Sequence, residues 1–274
     1  MKTINYRMIV SDFDGTLTND DHIIPDFVKS AINEYVACGG IFAVCTGRML
    51  RSILPRVREI GLKGLVVANQ GSVIADIESG KELKRSGMPS EDTASICAVI
   101  EKLGYKSNVY CGDEIYCNIP KNNVYLQTYE RIIGVETTFI GNDLSAYILD
   151  NKLFCQKVSC LVPTTERNEI YQKLNKKLSD KFDVTCSANV LIEISPKNET
   201  KGEALKFLCE KFKVPIERCI ACGDNLNDIS MVSIAGLGIA VANADKSLKE
   251  VADFVSASNN EGAVAKIIEK FGFI

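Results

Sequence analysis

Two aspartates one residue apart, Asp12 and Asp14, follow a short apolar run and precede Gly15-Thr16. Residues i and i+2 of an extended chain project to the same side, so both carboxylates can face one ligand. Carboxylates that close repel unless a cation or a shared proton compensates, and the pattern predicts a hard divalent metal. Magnesium suits it better than calcium. Few carboxylates are at hand, there is no EF-hand loop, and magnesium keeps waters while taking one or two carboxylates plus substrate phosphate. Gly15 and Thr16 allow a sharp turn that presents amide donors. Three further clusters, Thr46-Gly47-Arg48, Asn69-Gln70-Gly71 and Gly223-Asp224-Asn225-Leu226-Asn227-Asp228, have the same polar character, and Lys201 adds an ammonium at a helix start. Each alone reads as a loop that punctuates a sheet; together they predict a site.

The elements that would position these residues alternate strand and helix. Arg7 to Ser11, Ile41 to Cys45 and Gly64 to Ala68 read as buried strands, with helices over 25–38 and from about Arg48 through Ile60. After about Lys81 the rhythm changes. A helix over 90–103, strands over 105–110 and 114–119, a strand over 154–161, a helix over 164–178 and a hairpin about Ala188-Asn189 suggest a mainly antiparallel α+β insert. The first rhythm returns with a helix over 200–212, a strand over 218–222, a helix over 226–234, a strand over 237–241 and a last helix over 262–271. The expected fold class is therefore α/β, a Rossmann-like parallel-sheet core over 1–82 plus 190–274, with an α+β cap domain inserted over 83–189. In such sheets ligands sit beyond the carboxyl ends of the strands, where the polar clusters fall.

Composition removes several alternatives. The 274 residues are 46% hydrophobic, enough for a sizeable core, and the net charge of -3 comes with no basic stripe for nucleic acid. No apolar run approaches the roughly 20 residues of a membrane helix. Met1 to Val10 has no long apolar stretch, so no secretory leader is expected. The eleven cysteines are scattered without a Cys-x-x-Cys pair and read as buried, free thiols of a cytoplasmic protein. A single histidine, His22, excludes a two-histidine metal scheme and reads as an exposed loop residue.

Asp12-Phe13-Asp14-Gly15-Thr16-Leu17 resembles the first motif of the haloacid dehalogenase superfamily in its phosphatase form. Thr46-Gly47-Arg48 looks like the second motif, Lys201-Gly202 the third and Gly223 to Asp228 the fourth. With the insert between the second and third motifs, Asn69-Gln70-Gly71, and the tail from Gly238-Ile239-Ala240 to Asn243-Ala244, the chain resembles the Cof-type branch with a large type-two cap. The resemblance implies that Asp12 is the nucleophile and Asp14 the general acid and then base. It implies Mg2+ held by the Asp12 carboxylate, the Asp14 main-chain carbonyl and Asp224. Phe13, Thr46, Gly47, Lys201 and Asn227 would meet the phosphate, with Asp228 and Arg48 in support. The implied activity is hydrolysis of a small phosphorylated metabolite, a sugar phosphate or phosphorylated cofactor, by a monomer or small homo-oligomer whose cap selects the substrate.

Other readings stay open at this level. A phosphomutase could use the same aspartyl phosphate, and a non-catalytic binder could keep the fold, although a binder has little use for Asp14. Asn225 or Asn227 could simply cap a helix, Asp228 could answer a helix dipole, Arg48 could pair with an acid, and Lys197 is a nearby rival to Lys201. Gln70 inserted between Asn69 and Gly71, Asn260-Glu261-Gly262, and Val241-Ala242-Asn243 depart from the family pattern, which bears on substrate contacts.

Overall fold

The computed structural model describes every residue except Met1, Ile60 and Asn189, and the backbone alone at Ile132, Ser187 and Ala188. The end of the second expected helix at Ile60 and the hairpin turn at Asn189 therefore lie outside the described residues. In chain order the elements are β1 (Met8–Asp12), α1 (Asp26–Ala37), β2 (Ile41–Cys45), α2 (Leu50–Glu59), β3 (Leu65–Ala68), β4 (Val73–Asp76) and β5 (Glu82–Arg85). The insert follows with α3 (Ser90–Lys102), β6 (Lys106–Cys111), β7 (Glu114–Cys117), α4 (Val124–Ile133), β8 (Thr138–Phe139), α5 (Leu144–Asp150), β9 (Lys157–Leu161), α6 (Arg167–Leu178), β10 (Phe182–Ala188) and β11 (Leu191–Pro196). The chain closes with α7 (Lys201–Phe212), β12 (Cys219–Gly223), α8 (Ile229–Val232), β13 (Leu237–Ala240), α9 (Lys246–Val251), β14 (Phe254–Val255) and α10 (Ala263–Ile267).

The first unit, 1–85 with 200–274, holds one eight-stranded sheet in the order β14-β13-β12-β1-β2-β3-β4-β5. Its pairs are parallel from β14 to β3, and β4 and β5 add an antiparallel edge. Parallel strands covered on both faces need continuous apolar runs, and β1 and β12 are buried at every position. Ile9, Val44 and Ile220 pack one way against Ile32 of α1, Ile53 of α2 and Val264 of α10. Met8, Val10 and Ala221 pack the other way against Leu205 and Leu208 of α7 and Met231 of α8. Each aliphatic side chain so buried stabilises the fold by about 1.5–3 kcal/mol before entropy is counted. From β1 the chain builds β2 and β3 toward one edge, and later β12, β13 and β14 toward the other. The direction of winding thus reverses between β1 and β12, the place where such sheets open a ligand crevice.

The second unit, 86–199, has a six-stranded sheet in the order β10-β11-β9-β6-β7-β8, antiparallel except for β7 with β8. Val109, Val158, Cys160, Ile192 and Ile194 of that sheet share a core with Ile96, Ile100, Ile148, Ile170 and Leu174 of its helices. The expected boundary at 189/190 moves to 199/200. β11 pairs with both β10 and β9, so a cut between β10 and β11 would break two ladders of one sheet. Sequence reading also missed β4, β5, α4, β8, α5, α9 and β14. β5 has no buried position, so no apolar run marked it.

One cysteine expectation is overturned. Cys111 and Cys155 are joined by a disulfide, while nine other cysteines are free thiols. The two stand where β6 and β9 pair, with Tyr110 opposite Lys157, a neighbourhood that 44 residues of separation hid. Thiol status therefore gives no argument for a reducing compartment. Among the described residues no helix is long and apolar enough to cross a membrane.

Candidate active site

β1 delivers Asp12 to the crevice, and the next five residues turn irregularly because Gly15 takes φ +80°. A side chain there would be strained, and a Cβ would lie 2.8 Å from Asp224 Oδ2. The carbonyl of Phe13 accepts from both the amide (3.0 Å) and hydroxyl (3.1 Å) of Thr18, and Asn243 Nδ2 donates to the Gly15 carbonyl (2.8 Å). The turn is therefore held from both ends. Gly15→Ala is expected to destabilise the chain by about 1–3 kcal/mol and to displace Asp224, read as a lowered urea midpoint together with weaker Mg2+ binding.

Lys201 opens α7, capped by Thr200, whose hydroxyl accepts from the Glu203 amide (3.2 Å). Gly202 follows because a Cβ at that position would overlap the Ser230 carbonyl, and its amide donates to Ser230 Oγ (3.1 Å). This close approach of α7 to α8 sends the Lys201 ammonium into a fully buried position, where it donates to Asp12 Oδ1 and to Asp228 Oδ1 (2.6 Å). Asp228 Oδ2 accepts from the amides of Asp224 and Asn225, each at 3.0 Å. Asn225 is thus the helix cap, in a capping box with Asp228, and Asn227 is not. Asp224 Oδ1 accepts from the Thr16 hydroxyl (2.9 Å). Lys197 is exposed and lies in the second unit.

β2 runs beside β1 with Cys45 opposite Asp12, so Thr46 is the first residue beyond the nucleophile candidate's neighbour. Thr46 is buried, and its oxygen accepts from the Arg48 amide (3.2 Å), which leaves its hydroxyl proton to donate. Gly47 lies against the Gln70 side chain, whose Oε1 accepts from Asn227 Nδ2 (3.1 Å). Arg48 grips Asp14 with two bonds, Nε to Oδ2 at 2.7 Å and a terminal nitrogen to Oδ1 at 2.8 Å. Its guanidinium also stands 5.9 Å from the ring centre of Phe13, which is buried. His22 is an exposed loop residue, yet its Nδ1 is 3.8 Å from Asp14 Oδ1.

Asp12, Asp14, Phe13, Lys201, Asp224 and Asp228 thus surround the β1–β12 crevice, with Thr46, Gly47 and Arg48 on the β2 side and Asn227 joined to Gln70. Sequence reasoning missed Gln70 as a partner, Asn243 as a latch and His22 as a neighbour of Asp14. Gln70 stood in a noted polar cluster and Asn243 in the tail that carries the family resemblance, but neither had an assigned partner. Asn69, with φ +48°, is buried with neither side-chain polar atom bonded, and the sequence marked it only as part of the Asn69-Gln70-Gly71 cluster.

Two buried carboxylates, Asp12 and Asp228, bond to one ammonium, and the half-buried Asp224 stands beside them. Burial, then Asp228 and Asp224, push the Asp12 carboxyl well above its ordinary 3.8, although the Lys201 ammonium pulls the other way. Asp224 is raised by burial and then by Asp228. Burial would lower Lys201, but Asp12 and Asp228 outweigh it and raise the ammonium instead. A carboxyl raised on folding binds its proton more tightly than in the unfolded chain. The metal-free fold therefore loses stability as pH climbs from about 4 through the raised values. A cation needs the ionised forms, so stabilisation by saturating Mg2+ is expected to grow across the same window. Thermal melts at stepped pH test this; an increment independent of pH would contradict it.

The residues fit a divalent ion. Oxygens of Asp12, Asp224 and Asp228 lie within 4.8 Å of one another. Both Asp228 oxygens are already engaged, by Lys201 and by two amides, whereas the Asp12 and Asp224 carboxyls bond to each other, a contact that needs a shared proton or a cation.

An α/β enzyme with its winding reversed at a carboxylate-lined strand pair is the class that fold and site define. Residues 9–268 match the family model of haloacid dehalogenase-like hydrolases, and the chain belongs to that family, in its Cof-type branch. The phosphatase YwpJ of Bacillus subtilis is 28% identical over 96% of this chain and 99% of its own. The 5-amino-6-(5-phospho-D-ribitylamino)uracil phosphatase YcsE of Bacillus subtilis is also 28% identical, over 97% and 95%. The crystal structure of TM0651 from Thermotoga maritima superposes with a TM-score of 0.83 at 30% identity, covering 97% of both chains. The chain is an enzyme of the phosphatase class.

Proposed function

We propose that this enzyme is a Mg2+-dependent phosphomonoester hydrolase that acts on a small phosphorylated metabolite through an aspartyl phosphate on Asp12. The observation that carries the reading is the environment of Asp12: buried at a strand end, bonded to a buried ammonium, and beside Asp224 in a cluster short of positive charge. A carboxylate attacking phosphorus forms an acyl phosphate that water then cleaves, so one difficult step becomes two easier ones. Lys201 and the Thr46 hydroxyl donate to the phosphoryl oxygens, where preorganised donors stabilise developing charge. The Asp12 and Asp224 carboxylates, with the Asp14 main-chain carbonyl, would hold a Mg2+, and the ion when bound would supply positive charge to offset that of the nucleophile and phosphate. Asp228 positions the lysine and the Asp224 loop.

Asp14 protonates the leaving oxygen and then takes a proton from water. Its carboxylate is clamped by Arg48, so the incoming phosphate must draw the guanidinium away before Asp14 acts as an acid. Arg48 is suited to that exchange, because its fork matches phosphate as well as carboxylate. Cap residues in 86–199 select the leaving group. The phosphoribityl group in the name of one relative, with the phosphorylated cofactors that the family resemblance implies, makes polyol phosphates, flavin mononucleotide and pyridoxal phosphate the first compounds to try.

The test is phosphate release across sugar phosphates, nucleotides, flavin mononucleotide and pyridoxal phosphate, with and without chelator. Release of inorganic phosphate that stops on chelation is expected. An isomeric phosphate without free phosphate would mean a mutase, and affinity without turnover would mean a binder.

A further inference from the structure

Cys209 and Cys219 lie outside the crevice and have no part in phosphoryl transfer. Their sulfurs are 3.4 Å apart, ten residues apart in sequence, and both are free thiols. Cys209 sits in the last turn of α7 and is half-buried, while Cys219 opens β12 and is fully buried. The pair is therefore asymmetric, with one residue partly exposed and the other wholly buried. We infer that Cys209 and Cys219 form a reactive dithiol that low-molecular-weight disulfides oxidise to an internal disulfide, Cys209 attacking first and Cys219 resolving.

The electrostatics agree with that order. The sulfur contact with Cys219 pulls the Cys209 thiol below its ordinary value, whereas the same contact and burial push Cys219 up. The thiolate is the nucleophile, so Cys209 is the one to begin. By contrast, burial pushes Cys45 and Cys222 beside the active site up to about 12, and they have no sulfur neighbour among the bonds described. In the first step the Cys209 thiolate attacks one sulfur of a disulfide R–S–S–R. A Cys209–S–S–R bond forms, and RS⁻ leaves and takes a proton from solvent. In the second step Cys219 gives up its proton, and its sulfur attacks that of Cys209, expelling the second RS⁻. The dithiol loses two electrons, the small disulfide gains them, and two RSH are released. The product would join two elements whose opposite ends present Lys201 and the Asp224 loop. The inference does not rest on the phosphatase reading.

The test uses the full chain and oxidised glutathione, followed by peptide mapping without reduction. Wild type should yield a Cys209–Cys219 cross-link and no lasting adduct on either residue. Cys219→Ser should retain glutathione on Cys209, and Cys209→Ser should leave Cys219 unmodified. Cys209 should react faster than half-buried Cys38, which has no sulfur neighbour among the bonds described. Circular dichroism of both serine variants checks that they fold. A stable glutathione adduct on Cys209 of the wild type, or reaction at Cys38 and Cys186 with Cys209 untouched, would overturn the proposal.

Discussion

Asp12→Asn is expected to lower phosphate release by about 10⁴-fold or more while the protein stays folded. An amide cannot attack phosphorus to give a hydrolysable acyl phosphate, and loss of a covalent nucleophile commonly costs that much. The substitution keeps the shape of a side chain buried at the end of β1. It also removes one of three carboxylates from a cluster that has a single ammonium, so the metal-free melting temperature should hold or rise. Kinetics at saturating Mg2+ and a melt on the same preparation give both answers. Residual turnover above about one per cent of wild type would show that another group attacks phosphorus. Asp14→Asn makes a useful companion, since it spares the attack and should leave phosphoprotein to accumulate when the leaving group needs no acid.

Lys201→Met is expected to destabilise the metal-free chain by about 3–5 kcal/mol, the usual result of stranding a buried charge. Its ammonium is wholly buried between Asp12 and Asp228, and the apolar replacement would leave those carboxylates uncompensated. Mg2+ should recover part of the loss by neutralising Asp12, and adding Asp228→Asn should recover a further part, since the two sites share one network. Urea unfolding with and without Mg2+ measures each term. A loss below about 1 kcal/mol would mean that the cluster already carries an extra proton and depends little on the lysine. In the folded, metal-loaded variant, kcat should still fall by about 10²–10³-fold on the proposed role of Lys201 as a donor to the phosphoryl oxygens.

Much of this arrangement was legible in the residues. Short apolar runs ending in Asp12, Cys45 and Gly223 are strands covered on both faces, and that periodic, local information survives folding unchanged. Gly15 and Gly202 likewise mark places where a Cβ would meet another chain segment, a constraint written into residue type. The resemblance of four short motifs was enough to choose Asp12, Asp14, Lys201 and Asp224 and to expect an insert between the second and third.

Relations between distant residues were not legible. The Arg48 clamp on Asp14 joins positions 34 apart, and the Asn227 bond to Gln70 joins positions 157 apart. Neither has a local signature, since each depends on where β2, β3 and β12 end relative to β1. The true edge of the insert was hidden for the same reason, because β11 belongs with β9 and β10 by pairing that no short window contains. Cys111 with Cys155, and Cys209 with Cys219, were scattered thiols until strand pairing and helix packing brought them together. Residue types named the chemistry available to this chain. Long-range packing set which groups meet: Lys201 with both Asp12 and Asp228, and Asp14 with Arg48, because burial and charge pairing act through space.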